Sequence, residues 1–258
     1  MRLLITNDDG IESEGLHWLA RSFHRDGHHV QVVAPAHEQS GAAAALGDVM
    51  GEEAFDYASR PIDGLPEGRS FALEGPPALC TWTACLGAFG PPPDCIVSGI
   101  NAGLNCGRSV YHSGTVGAVL TGANFDRSGL AVSLALGDQT THWETAARLA
   151  VRALSWLKLE PAGTLLNVNV PNVSPEERLS VRAAPLASYP TVRTRLHNDG
   201  AGRLEVERYS SRDEVAPDSD VAVLFAGDAS VTLIERLSGH VNSRALSAAA
   251  FLTDSRSG

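Results

Sequence analysis

Asn7-Asp8-Asp9-Gly10 sets two adjacent carboxylates where the short apolar run Leu3-Leu4-Ile5 ends. Adjacent carboxylates repel, and each raises the other's pKa unless a cation lies between them. A hard divalent ion such as Mg²⁺ or Mn²⁺ prefers oxygen ligands and would remove that repulsion. Gly10 permits the sharp turn that lets neighbouring side chains converge. The same four residues also suit an Asx turn between strand and helix, so alone they describe either a turn or a metal site. Further on, Gly99-Ile100-Asn101-Ala102-Gly103-Leu104-Asn105-Cys106-Gly107 combines two amides with several glycines. Amide oxygens are neutral hard ligands, and glycines let backbone approach an ion or phosphate; a glycine-rich tight turn is the plain alternative. His112-Ser113-Gly114-Thr115 stands just before a helical pattern. Free N–H groups at a helix N-terminus, with two hydroxyls, can cradle a phosphate without a lysine. An N-cap at Ser113 or Thr115 with no ligand would leave the same trace. His112 is either a satisfied histidine beside the pocket or a proton shuttle.

These residues need a frame that brings them together. The first two-thirds of the chain alternates strand and helix signals. Strands are expected over 3–6, 30–34, 95–98, 130–136 and 165–170. Helices are expected over 15–23, 77–86, 115–125 and from a Thr141/Glu144 capping box to about Leu157. Such alternation implies a mostly parallel sheet covered on both faces, a Rossmann-like α/β fold whose ligands sit at the carboxyl ends of the strands. The chain reads as a single α/β domain over 1–258, with a core of about 1–185 and 218–245. Residues 186–217 are polar and Arg-rich, with alternation such as Leu204-Glu205-Val206-Glu207. They suggest either an extended hairpin that packs on a partner subunit or a flexible loop. A short helix over 220–225, a strand over 229–234 and an Ala/Ser-rich tail over 246–258 complete the chain.

Composition narrows the function. The 258 residues carry 20 basic and 30 acidic side chains, a net charge of −10. That argues against nucleic acid polymers and anionic membranes as partners, although a local pocket can still hold a small anion. Lys158 is the only lysine, so no P-loop is available. Cys80, Cys85, Cys95 and Cys106 form no C-x-x-C pair and read as reduced, partly buried thiols of a cytoplasmic protein. Asp8 and Asp9 interrupt the apolar start before a signal-peptide core develops, and no apolar run is long enough to span a membrane.

On the expected sheet, successive strand ends deliver the acidic pair, Ser40 within Ala36-His37-Glu38-Gln39-Ser40, the Asn101 and Asn105 loop, and the Ser113-Gly114-Thr115 cradle. Together they suit metal-assisted hydrolysis of a phosphate monoester. Four stretches carry a family likeness: Leu3-Leu4-Ile5-Thr6-Asn7-Asp8-Asp9-Gly10-Ile11, Val97-Ser98-Gly99-Ile100-Asn101-Ala102-Gly103-Leu104-Asn105, Ser113-Gly114-Thr115-Val116 and Leu166-Asn167-Val168-Asn169-Val170-Pro171. The chain resembles the SurE survival-protein family, whose members are metal-dependent 5′/3′-nucleotidases. The resemblance implies one divalent ion per subunit, Mg²⁺ or Mn²⁺, on Asp8, Asp9, Ser40 and Asn101. It implies phosphate or active-site contacts from Asn105, Ser113, Gly114 and Thr115, with Asp8, Asp9, Asn105 and Ser113 as the catalytic set. It also implies a homodimer or homotetramer built through an exchanged arm.

Three positions depart from the family pattern. Ala36-His37 replaces the usual Asp-Arg before the second-loop serine, Gly75-Pro76-Pro77 replaces Gly-Thr-Pro, and Gly227-Asp228 replaces Gly-Tyr. The ligand residues survive these changes, while substrate preference is put in question. The leading expectation is a phosphatase of nucleoside monophosphates. The alternatives are the same chemistry on another phosphorylated metabolite, and a non-catalytic metal- or nucleotide-binding protein. A Rossmann dehydrogenase is excluded, because no G-x-G-x-x-G follows the first strand.

Overall fold

A computed structural model describes residues 1–49, 51, 54–137, 140–189, 193–209 and 215–237. The tail expected over 246–258 lies outside the described residues. The centre of the molecule is a nine-stranded sheet in the order β3-β4-β2-β1-β5-β6-β7-β11-β8. Its parallel heart consists of β4 (Ser70–Leu73), β2 (His29–Pro35), β1 (Arg2–Thr6), β5 (Cys95–Ala102), β6 (Ser128–Leu134) and β7 (Leu165–Val170). β3 (Tyr57–Ser59) pairs antiparallel with β4 at one edge. At the other, β11 (Ala229–Ile234) runs antiparallel to β7 and carries β8 (Val181–Ala183).

Both faces of the central strands are buried, which is why they read as apolar runs. Leu3 and Ile5 of β1 join a cluster with Leu16, Leu19 and Phe23 of α1 (Glu14–Arg25) and Ala146, Ala150 and Leu154 of α4 (Trp143–Leu157). Leu4, between them, points the other way, into a cluster with Leu79 of α2 (Pro77–Cys85) and Val116 and Val119 of α3 (Gly114–Ala123). α1 and α4 therefore cover one face, and α2 and α3 the other.

The expected strands and helices are found, with three differences that bear on function. β5 does not stop at Ser98 but runs to Ala102. Its register against β6 slips between Ser98 and Asn101, as a bulge does. Asn101 is thus held on a strand end and re-aimed, not carried on a free loop. The Thr141/Glu144 capping box does not form. α4 starts at Trp143 with His142 as N-cap and no side-chain cap bond. Its entry is fixed instead by the chain after β7: His142 N–H donates to Asn172 Oδ1 (2.8 Å) and Thr145 Oγ1 to the Val173 carbonyl (2.8 Å). Glu144 pairs with Arg148 one turn on (2.9 Å). Third, β3, β4 and β8 are short edge or near-edge strands without a sequence pattern of their own.

The polar segment after residue 186 contains a hairpin, β9 (Arg193–Asn198) with β10 (Leu204–Tyr209), as a separate two-stranded sheet. Leu196 stands opposite Val206 in its register, and both are exposed, as is Leu204. α5 (Asp220–Phe225) returns the chain to the core.

Candidate active site

The carboxyl end of β1 releases Asn7-Asp8-Asp9-Gly10 into a turn over the sheet. Gly10 has φ +97°, a conformation that L side chains avoid. Asn7 braces the turn, its Nδ2 donating to the Gly10 carbonyl (3.0 Å) and to Ser13 Oγ (2.6 Å). The loop after β2 is stapled on top: Ile11 N–H donates to the Pro35 carbonyl (2.9 Å) and Gln39 N–H to the Asp8 carbonyl (2.8 Å).

Asp8 is buried under the start of α3. Thr115 Oγ1 donates to its Oδ1 at 2.7 Å. Gly114 is glycine for a steric reason: a Cβ there would lie 2.8 Å from Asp8 Cβ and 2.9 Å from Oδ2. Burial pushes the Asp8 carboxyl above its ordinary pKa, partly offset by the Thr115 hydroxyl and by backbone N–H groups of Thr115 and Gly114. The positive end of α3 is therefore aimed at this carboxylate. Ser113 caps the helix, its Oγ accepting from Val116 N–H at 3.1 Å.

Asp9 is half-buried at the rim. Burial is the main reason its pKa rises to about 6, with repulsion from Asp8 and Glu38 adding to it. Its Oδ2 accepts from the Ala102 N–H at 3.1 Å, which ties the end of β5 to the acidic pair. Asn101 turns its Nδ2 to the Gly103 carbonyl (2.6 Å). An Asn101 side chain fixed in that way keeps its amide oxygen for a cation, with one N–H hydrogen spent on Gly103. Ser40 is exposed, and its hydroxyl donates to Glu38 Oε1 (2.9 Å). His112 is exposed at the end of a short 3-10 helix (Gly107–His112).

Thr115 bonds Asp8 and Gly114 packs against it, Asn105 reaches it through Thr115, and Ser113 caps the helix, whereas Asn101 lies on the strand whose Ala102 N–H bonds Asp9 and Ser40 sits on the overlying loop. Two carboxylates, one hydroxyl and one amide oxygen make a hard donor set. Among the described residues, no three His, Cys, Asp or Glu side chains converge, so a cation here would need the neutral donors as well. Two carboxylates made costly to ionise by burial and mutual repulsion fit a divalent cation, which would reverse that cost.

Sequence patterns alone did not reveal the support under this site. Asn105 is held by Asn167 and Asn169 of β7, and its Nδ2 donates to Ser133 Oγ (2.9 Å) and Thr115 Oγ1 (3.1 Å). Buried Asp220 fixes the next stretch, accepting from Gly107 N–H (2.8 Å) and Ala187 N–H (2.9 Å). Two polar residues alternating with apolar ones in β7 were the only available signal. Glu38, read only as part of a divergent loop, adds its charge to the field at Asp9.

The model of the family described as Survival protein SurE matches residues 3–191. The chain belongs to the SurE family. It is similar to the SurE protein named 5′-nucleotidase SurE from Xanthomonas campestris pv. campestris (strain B100), with 40% identity over 178 residues. That alignment spans 67% of this chain and 65% of the relative, less than two-thirds of the latter's length. It is 34% identical over 239 residues to the 5′/3′-nucleotidase SurE of Erwinia tasmaniensis, covering 91% of this chain and 90% of the other. The crystal structure of the SurE protein from Aquifex aeolicus superimposes with a TM-score of 0.76 at 26% identity, covering 98% of this chain and 100% of that one. The SurE fold, a Rossmann-like mostly parallel sheet between helices, is therefore the fold of this chain.

All four cysteines are buried and none is in a disulfide among the described residues; burial raises the Cys85 thiol to about 11 and Cys95 to about 12. Such thiols are poor nucleophiles at neutral pH, so the chemistry falls to the oxygen groups. No helix among the described residues is long and apolar enough to cross a membrane.

Proposed function

We propose that this protein is a divalent-metal-dependent phosphomonoesterase that hydrolyses nucleoside 5′- and 3′-monophosphates to nucleoside and phosphate. The observation that carries this reading is the Asp8–Asp9 pair, raised in pKa at a strand end and faced by the N-terminus of α3. The names of the Xanthomonas and Erwinia relatives support the substrate class. Asp8, Asp9, Ser40 and Asn101 would hold one Mg²⁺ or Mn²⁺. When bound, such an ion polarises phosphoryl oxygens and acidifies a water at neutral pH.

The chain's own groups do the positioning. Thr115 favours the ionised form of Asp8 by donating to Oδ1, against the effect of burial, and the bond keeps the carboxyl in one orientation. The positive end of α3, whose Gly114 and Thr115 N–H groups are turned to Asp8, attracts the dianionic ester. Ser113 shapes the helix start, and its hydroxyl oxygen accepts from Val116 N–H. Asn105 offers Oδ1 only, both Nδ2 hydrogens being used within the protein. Hydrolysis then breaks the ester P–O bond, the released nucleoside oxygen taking a proton and the phosphorus taking a water oxygen.

The test is phosphate release from a panel of nucleotides and sugar phosphates, with and without Mn²⁺. Mn²⁺-dependent turnover of nucleotides is expected, with Asp8→Asn losing roughly 10²–10³-fold. Binding of Mn²⁺ and nucleotide without turnover would instead indicate a non-catalytic protein. A second reading keeps the chemistry and changes the ester to another phosphorylated metabolite. It is favoured by the second loop, where exposed His37 faces Glu74 at 4.0 Å and no arginine stands. A clear preference for nucleotides in the same panel rejects it.

We also read the protein as cytoplasmic, since four buried cysteines outside any disulfide suit a reducing compartment. The hairpin's exposed Leu196, Leu204 and Val206 support a homodimer or homotetramer. Light scattering on the full chain tests this, a monomer counting against it.

A further inference from the structure

β7 carries Asn167 and Asn169, both fully buried, at alternate positions of an otherwise apolar strand. Leu166, Val168 and Val170 fill the core under α1 and α4, so the two amides face the α3 side of the sheet. Buried amides are costly unless paired. Here three of their bonds converge on the backbone of one residue. Asn169 Oδ1 accepts from Asn105 N–H (2.8 Å), and Asn169 Nδ2 (2.9 Å) and Asn167 Nδ2 (2.8 Å) both donate to the Asn105 carbonyl. The Asn105 peptide units on both sides of its Cα are thereby fixed.

The polarity continues in one direction. Thr115 has a single hydroxyl proton, given to Asp8 Oδ1 at 2.7 Å. The Asn105 atom that meets Thr115 Oγ1 at 3.1 Å must then be the donor, Nδ2, whose second hydrogen goes to Ser133 Oγ at 2.9 Å. A run of buried hydrogen bonds leads from β7 through Asn105 and Thr115 to the Asp8 carboxylate, with a branch from Asn105 to Ser133 of β6. In the sheet register Ser133 lies beside Asn169.

We propose that Asn169, assisted by Asn167, is a positioning residue for the active site: it clamps Asn105 so that Thr115 stays hydrogen-bonded to Asp8. This rests on the reading of Asp8 as a ligand of the catalytic cation. Neither asparagine touches the ester; each acts through Asn105.

Asn169→Ala and Val168→Ala are compared, because they are neighbouring buried positions on opposite faces of one strand. Both should lower the melting temperature. Below both melting temperatures, Asn169→Ala should lower Mn²⁺ affinity and kcat by roughly 10–100-fold, while Val168→Ala keeps both within about 2-fold of wild type. Asn167→Ala, which removes one bond of three, should fall between them. It carries the same comparison if Asn169→Ala does not fold. The side-chain amide NMR signals of Asn105 give a readout independent of turnover. They should be protected from exchange in wild type and Val168→Ala and lose that protection in Asn169→Ala. Wild-type protein without Mn²⁺ binding or turnover would defeat the phosphatase reading, yet those signals would still report the clamp. Equal losses in Asn169→Ala and Val168→Ala, or unchanged Asn105 protection, would overturn the proposal.

Discussion

The two halves of the candidate site are built differently. On the α3 side, Asp8, Thr115, Asn105, Ser133 and Asn169 are buried and joined by hydrogen bonds of 2.7–3.1 Å. On the side of the second loop, His37, Glu38 and Ser40 are exposed, and the Ser40 hydroxyl bonds to its near neighbour Glu38. A satisfied buried network has one geometry, and disturbing it leaves unpaired polar groups behind. An exposed loop can change its side chains at little cost. The first half is suited to holding one fixed geometry, the second to varying its side chains around Ser40.

This contrast can be broken most severely at Gly114. Gly114→Ala puts a methyl within 3 Å of Asp8 and must displace it or α3. A misplacement of about 1 Å can cost 10²-fold, so phosphate release should fall by at least about that much, with circular dichroism still showing a folded protein. Thr115→Val keeps the shape and removes the hydroxyl between Asp8 and Asn105. A loss of roughly 10–100-fold in Mn²⁺-dependent turnover is expected.

The pH dependence sharpens the contrast at the boundary between the halves. Asp9 in the folded protein has a pKa of about 6, raised from 3.8. Between those values the folded state keeps a proton that the unfolded state has lost. The stabilisation from protonated Asp9 is thus complete below about pH 4 and is lost as pH rises through 6. The melting temperature of metal-free protein should fall over that window less steeply in Asp9→Asn. Added Mn²⁺ should raise the melting temperature more at pH 7.5 than at pH 5, because protons compete for the ligands. On the exposed side, Glu38→Gln removes a charge that repels Asp9 and leaves the fold alone. Its expected effect is the smallest: a change of about 3-fold or less in Mn²⁺ affinity or in relative rates across the ester panel.

How much of this was legible in the sequence follows from the same physics. The central strands and their helices were readable because both sheet faces are buried, leaving apolar runs such as Leu3-Leu4-Ile5 and periodic faces such as Leu16, Leu19 and Phe23. The ligand candidates stood out in the sequence because polar residues follow the apolar strands, as Asp8 and Asp9 follow Leu3-Leu4-Ile5. β3, β4 and β8 were not, being three or four residues long with no repeating pattern. The start of α4 was misread because Asn172 and Val173, about 30 residues away, hold it in place of a local capping box. The clamp beneath Asn105 was hidden for a similar reason. Its bonds join residues 62 and 64 positions apart, and the run Asn167-Val168-Asn169 gives alternation but no partner.

Mn²⁺ binding followed by the loss of the free-ion electron paramagnetic resonance signal tests the Asp8–Asp9 assignment without relying on turnover. Wild-type protein at pH 7.5 should bind one Mn²⁺ per chain, and Asp8→Asn and Asp9→Asn should each weaken that binding by roughly 10-fold or more while remaining folded. Wild-type affinity in both variants would contradict the metal site on which the proposed chemistry depends.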